Sequence, residues 1–422
     1  MVGSVRMLSA AESELNHLRK YTTIWYVAWL RGEVDVDALT TAAAVLRQTH
    51  PYLSARVESV GRRFRIVTES VGGTVVAPQT RPLESLATLP VLSLGDGTFA
   101  ILVFPREGGS VVAVGVDHSI ADARLSYSYF HELWDSYTRI VTAGETPQAH
   151  PQPPPEAPET AMARRGLHRT APPEKPWFGQ TVWGGTQRET AASATTALGW
   201  KHRFGAEQSA QLRAAARRRG STVNGLVTGV IALAERALLP VAAHEPVNLG
   251  FESLVDYRRH LVPPAELGEI ANGIMIARSQ VLVRARDDPQ QIGAEVTRQI
   301  IEDIDSGLLV QGVHHIADTL LTGRFGPFIR ITNPGVLPAP ALPAGLSMDD
   351  FDIHLSAERT SRTAGADDAP LPQASRYEVY SICDRLTIVG KFPAGSLTRE
   401  QADALRADVV AGIHALATPG SS

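Results

Sequence analysis

Residues 110–126 read SVVAVGVDHSIADARLS, and the fold is decided by this stretch. The run 110–116 is apolar and rich in β-branched residues, the pattern of a strand buried on both faces. Residues 122–142 then place Leu125, Tyr129, Leu133, Trp134 and Tyr137 at helical spacing. Asp117 and His118 therefore sit at a strand-to-helix junction, a place where α/β proteins hold side chains rigidly at a sheet edge and bind substrates.

His118 and Asp122 form a His-x-x-x-Asp pattern, but the spacing alone selects nothing. It recurs at His131/Asp135 and at His314/Asp318. His131 and Asp135 lie one turn apart in a helix pattern and read as a surface pair. His314, beside His315, falls in another helical stretch, VQGVHHIADTLLTG; metal ligation would need a third ligand, and none is apparent. The residues alone leave His118 readable equally as a catalytic or as a structural histidine. Asp122 is too close in sequence to need a triad role, and reads as fixing the loop through a distant arginine.

Outward from this stretch, helix and strand signals alternate. Residues 9–20 carry a capping-box pattern, Ser9 with Glu12. Residues 22–31 (TTIWYVAWLR) predict a strand, 35–49 a helix ended by His50-Pro51, and 53–58, 63–68 and 99–105 further strands. From 147 to 195 the chain turns proline-rich and loses apolar periodicity, as a linker would. The second half predicts a strand at 199–204, helices at 206–219 and 222–238, and a strand at 246–251. A Pro-Pro loop follows, then helix over 287–322. Strands are predicted at 327–332, 351–357, 376–382 and 385–391, and Asn272-Gly273 reads as a turn. The expected organisation is 1–146, a linker 147–195, and 196–422.

The chain has 422 residues, 44% hydrophobic and 20% charged, enough for two or three cores. A net charge of −4 gives no global field toward nucleic acid or anionic lipid. The single cysteine, Cys383, excludes an internal disulfide and a cysteine-based zinc site; its strand-like surroundings predict a packed core residue. The first twenty residues lack a signal-peptide core and no run is long enough to span a membrane, so the expected compartment is the cytoplasm. No Gly-x-Ser-x-Gly elbow and no phosphate-binding Gly-rich loop are present.

Several segments match one superfamily in the right order. VGVDHSIADARLS resembles the His-His-x-x-x-Asp-Gly segment of condensation domains and chloramphenicol-acetyltransferase-like enzymes. Residues 36–56 resemble its first helix and His-Pro-x-Leu, VDYRR (255–259) its second-domain Val-Asn/Asp-Leu-Arg motif, and FIRITNPG (328–335) its second-domain strand and turn. The nearest resemblance, over nearly the whole chain, is to the polyketide-associated (Pap-type) acyltransferases of actinobacteria. Two positions depart: Asp117 replaces the first histidine, and Ala123 stands where glycine is usual.

The resemblance implies an α/β fold of two chloramphenicol-acetyltransferase-like subdomains, each a mixed sheet flanked by helices, with the active site at their interface. It implies O-acyl transfer from a thioester of coenzyme A or an acyl carrier protein, without a bound cofactor or metal, to a hydroxyl of a polyketide or lipid acceptor. His118 would be the general base, and Asp122 a structural carboxylate paired with Arg258 across the domain junction. The Ala123 amide would serve the turn despite its Cβ. Thr332 and Asn333 are candidates by position for oxyanion donors, Asn333 reading otherwise as a turn residue before Pro334-Gly335. Partners would be acyl-coenzyme A or a carrier protein of a polyketide synthase, and a small hydrophobic alcohol, with the chain a monomer. Three rivals remain: amide formation, a silent carrier-binding relative, and metal-dependent hydrolysis through His314 and His315.

Overall fold

In the computed structural model, the described residues are 5–7, 22–60, 63–68, 75–92, 97–171, 198–315, 328–357, 375–392 and 396–418. They form two compact units whose segments alternate along the chain. Unit 1 takes Met1–Arg169, Arg258–Ile274 and Ala339–Asp368, and unit 2 takes Thr170–Tyr257, Met275–Pro338 and Ala369–Ser422. The second half of the chain thus returns two segments to unit 1. The capping-box helix read over 9–20 and all of 172–195 lie outside the described residues. Residues 147–169, read as linker, belong to unit 1.

The strands of the first half are β1 (Val5–Met7), β2 (Thr22–Arg31), β3 (Arg56–Val60), β4 (Arg63–Val67), β5 (Val76–Pro78), β6 (Phe99–Arg106) and β7 (Gly109–Asp117). With β12 (Ser347–Ala357), unit 1 builds a five-stranded sheet in the order β12-β2-β7-β6-β5 and a small sheet β1-β4-β3. The central strands β2 and β7 are buried almost throughout, as their unbroken apolar runs demand. They pair antiparallel with Thr23 opposite Asp117 and Ile24 opposite Val116.

Among the described residues the helices that accompany these strands are α1 (Val36–Thr49), α2 (Ala123–Ala143) and α3 (Pro158–Ala163). Asp35 caps α1 by accepting from the Asp37 and Ala38 amides at 3.0 Å. One face of α2 is aromatic. Tyr127 and Phe130 meet Tyr26 of β2, and Phe130 lies 5.6 Å from Phe351 of β12, centroid to centroid. This packing fixes α2 against the sheet and so fixes the turn between β7 and α2.

Unit 2 contains β8 (Leu198–Arg203), β9 (Val247–Asp256), β10 (Ile274–Val283), β11 (Ile329–Val336), β13 (Arg376–Ile382) and β14 (Arg385–Phe392). Their order is β10-β9-β11-β13-β14-β8, with β11 parallel to both neighbours. Among the described residues its helices are α4 (Ala206–Arg218), α5 (Val223–Ala237), α6 (Pro289–Asp305), α7 (Leu308–His314) and α8 (Arg399–Ala417). The apolar sheet face, including Phe251, Ile329, Ile331, Tyr377 and Val379, packs with Leu226, Val230, Leu405 and Val409 into one core.

Two expectations need correction here. The stretch 287–322 is not one helix: α6 ends at Ser306 and Gly307, with φ +73 at Gly307, before α7 begins. Cys383 is exposed, not packed. It and Asp384 form the two-residue turn of the β13–β14 hairpin, both with positive φ (49° and 60°), because that turn must match the twist of its strands. Among the described residues, no helix is long and apolar enough to cross a membrane.

Candidate active site

The site starts from the end of β7. The Asp117 amide donates to the Thr98 carbonyl and the His118 amide to the Thr22 carbonyl at 2.8 Å, so the sheet holds the backbone on both sides of His118. The chain then turns sharply. Asp117 Oδ1 accepts from the Ser119 amide (2.8 Å) and the Ser119 hydroxyl (2.5 Å), and the Ile120 amide donates to the Asp117 carbonyl. Ser119, Ile120 and Ala121 are fully buried, which leaves His118 as the residue of the turn that keeps partial exposure.

Asp122 ends the turn and caps α2. Its Oδ1 accepts from the Arg124 and Leu125 amides at 2.9 and 3.0 Å. Its Oδ2 accepts from Arg258 Nη2 at 2.6 Å and from the Gly273 amide at 2.7 Å. The side chains of Asp122 and Arg258 are only 1% and 2% exposed. A carboxylate has about four acceptor positions, and here all four are filled. Asp122 therefore has no free lone pair for the imidazole, and its hydrogen bonds clamp the turn to Arg258 and Gly273.

The clamp lies within unit 1, which corrects the expectation of a pair across a domain junction. Arg258 belongs to the segment Arg258–Ile274, and that segment packs with the β7–α2 turn. Arg258 also donates to the Ile270 carbonyl at 2.7 Å, and the Asp122 amide donates to the Ala271 carbonyl at 2.9 Å.

Asn272 and Gly273, read as a simple turn, belong to the site. Asn272 Nδ2 reaches the carbonyls of His118 (3.1 Å) and Ser119 (3.4 Å), tying the turn from its far side. A Cβ on Gly273 would lie 2.3–2.5 Å from the Arg258 guanidinium, so only glycine lets the backbone amide reach Asp122 beside that side chain. The signal in the sequence is the Asn-Gly pair fourteen and fifteen residues after Arg258, but its partners lie about 150 residues away.

The electrostatics favour a neutral imidazole. Burial lowers the pKa of His118 below 6.5, against smaller raising contributions from its own backbone, Asp122, Asn272 and the Ala121 backbone. Burial pushes the Asp117 carboxyl up to about 6, partly offset by the two hydrogen bonds from Ser119. Ala123 is half-buried at the first position of α2, and its carbonyl accepts from the Tyr26 hydroxyl at 2.5 Å.

The structure brings His118, Asp122, Ala123 and Arg258 together in unit 1, whereas Thr332 and Asn333 belong to β11 of unit 2. Asn333 Oδ1 accepts from the Gly335 amide and Nδ2 donates to Asn224 Oδ1, both at 2.8 Å. Its side chain thus serves the strand irregularity between Thr332 and Gly335. Of the rival histidines, His131 pairs with Asp135 at 3.2 Å on the half-exposed face of α2, and His315 Nε2 hydrogen-bonds the Thr170 carbonyl. Asp318 lies outside the described residues.

Comparison with known proteins gives this geometry its class. Residues 194–390 match the family model described as phthiocerol/phthiodiolone dimycocerosyl transferase C-terminus. The phthiocerol/phthiodiolone dimycocerosyl transferase of Mycobacterium ulcerans is 26% identical over 365 residues, covering 83% of this chain and 86% of that protein. The Mycobacterium tuberculosis enzyme of the same name is 24% identical, covering 82% and 85%. Among solved structures, the first condensation domain of the CDA synthetase superposes with a TM-score of 0.65 at 14% identity, over 99% of this chain and 97% of that one. The chain is an acyltransferase with the fold of condensation domains. Within that class it is similar to polyketide synthase associated protein 5 from Mycobacterium tuberculosis, with a TM-score of 0.76, 21% identity and 98% of each chain covered. Its sequence similarity is to the phthiocerol/phthiodiolone dimycocerosyl transferases, over most of its length.

Proposed function

We propose that the chain moves an acyl group from a coenzyme A or carrier-protein thioester to a hydroxyl of a polyketide or lipid acceptor, with His118 as the general base. The observation that supports this most is the partly exposed imidazole of His118, held on a turn whose backbone is tied by the sheet, by Asp117 and by Asn272. In this reading neutral His118 takes the acceptor's hydroxyl proton as the oxygen attacks the thioester carbonyl. The tetrahedral oxyanion collapses, the carbon–sulfur bond breaks, and the imidazolium returns the proton to the leaving thiolate. No covalent enzyme intermediate is needed.

Asp122 and Arg258 hold the turn in register and take no part in proton transfer. The Ala123 amide, at the positive end of α2, is the unit 1 group suited to an oxyanion; Thr332 and Asn333 remain the candidates of unit 2. The names of the mycobacterial relatives support a long-chain lipid alcohol as acceptor. The test is product detection by mass spectrometry with acyl-coenzyme A donors and a panel of polyketide-like diols and simple alcohols. Ester formation supports the reading. Amide formation with amine acceptors in place of esters would replace it.

A further inference from the structure

The polar face of the unit 2 sheet carries an unusual row of charge. Glu252 of β9 stands opposite Arg330 of β11, Arg330 opposite Arg376 of β13, and Arg376 opposite Lys391 of β14. Four neighbouring strands thus place four charged side chains at one level, about 4.8 Å apart. Three consecutive members are cations, and like charges directly opposite one another in a sheet are destabilising.

The two outer cations are compensated. Glu252, whose side chain is 3% exposed, accepts from Arg330 Nη2 at 2.5 Å and Nε at 2.9 Å, and from Arg278 Nε of β10 at 3.3 Å. Lys391 Nζ donates to Glu378 Oε1 at 2.5 Å. Arg376, the middle member, is exposed, and among the described residues it makes no ion pair with a carboxylate. The buried Glu252 fixes the Arg330 guanidinium, so the positive edge beside Arg376 is pre-organised.

We propose that Arg330, Arg376 and Lys391 form a binding row for a phosphate-type oxyanion, which would relieve the repulsion between adjacent cations. An arginine fork suits phosphate because its parallel N–H groups match two oxygens. Taken with the acyl-transfer reading, on which this assignment of the ligand rests, the anion is a phosphate of the thioester donor. Two phosphates share that chemistry. One is the 3′-phosphate found in free coenzyme A, and the other is the phosphate at the root of a pantetheine arm, common to coenzyme A and carrier proteins.

Calorimetric binding to the whole chain separates these, without turnover. The ligands are coenzyme A, 3′-dephospho-coenzyme A, 4′-phosphopantetheine and pantetheine; the proteins are wild type, Arg376→Gln, and Arg217→Gln on the exposed end of α4. Arg376→Gln is expected to weaken coenzyme A by about tenfold, with Arg217→Gln and pantetheine unaffected. A loss confined to coenzyme A assigns the row to the 3′-phosphate. A loss shared by 4′-phosphopantetheine assigns it to the arm. Unchanged affinity in Arg376→Gln, an equal loss in Arg217→Gln, or no binding of any phosphate-bearing ligand to wild type overturns the proposal. Binding is read without turnover, so a failure of the catalytic reading would leave this result standing.

Discussion

Removing the Asp122 carboxylate should destabilise unit 1, whatever it does to the chemistry. Asp122→Ala deletes an acceptor of four hydrogen bonds at a position 1% exposed. Loss of the helix cap costs about 1 kcal/mol. The Gly273 amide loses its acceptor, worth about 1–3 kcal/mol. Arg258, itself 1% exposed as a residue, is left as a buried charge without its carboxylate, and breaking such a pair typically costs about 3–5 kcal/mol. These losses share one side chain and do not add in full, so the expected total is about 4 kcal/mol. For a unit of some two hundred residues that lowers the melting temperature by roughly 10 °C. Differential scanning calorimetry on wild type and variant reads the shift, and far-UV circular dichroism reports folded content. A soluble Asp122→Ala protein melting within about 2 °C of wild type, yet inactive, would refute the clamp and return Asp122 to the chemistry.

Other outcomes follow from the same geometry. Gly273→Ala drives a Cβ into the Arg258 guanidinium, and should lower stability by about 1–3 kcal/mol in chemical denaturation; a wild-type midpoint would show that the close approach is not required. Asp117→Asn keeps an acceptor for Ser119 but removes a carboxyl whose folded pKa is raised from 3.8 to about 6. A raised carboxyl favours folding at low pH and loses that advantage as pH climbs through 6. The variant's stability relative to wild type should therefore grow between pH 4 and 6, by about 3 kcal/mol, and then level off; a pH-independent difference would count against a buried, desolvated Asp117. For activity, a base with a lowered pKa stays neutral further into acid. The acid limb of the kcat/KM profile should have its midpoint below pH 6.5, and a midpoint above it would contradict the assigned environment of His118.

Much of unit 1 could be read from local pattern, because its central strands and α2 bury continuous or periodic apolar runs. The junction that carries His118 is of this kind, and β2, β7, α1 and α2 appear where their residues indicate. The clamp was accessible only through resemblance, since no local signal connects Asp122 with an arginine 136 positions later. The roles of Asn272 and Gly273 were hidden for the same reason. Their side-chain amide and backbone amide act on a turn that chain folding, not sequence proximity, brings beside them.

Unit 2 hid more. Strand β10 has a clear alternation in the structure, with buried Met275, Ala277, Ser279, Val281 and Val283. In the sequence, Arg278 and Gln280 interrupt the apolar run, and the preceding Pro-Pro loop blurs its start. Helix α8 gives little signal in the sequence although Thr398 and Gln401 form a reciprocal capping box, because its Ala, Asp and Arg content gives weak apolar contrast. Cys383 looks like a strand residue because the hairpin turn lies between two apolar strands, and a turn of two positive-φ residues without glycine or asparagine gives no ordinary signal.

The central claim is that one partly exposed imidazole does the proton transfer, on a turn that other residues merely hold. Thiol release from an acyl-coenzyme A donor in the presence of an alcohol acceptor tests this most directly, with wild type beside His118→Ala. Wild type should release thiol in step with ester formation. His118→Ala should melt within about 2 °C of wild type and lose at least a hundredfold in rate, the lower bound of about 10² for a general base. Equal thiol release by the two folded proteins would contradict the account.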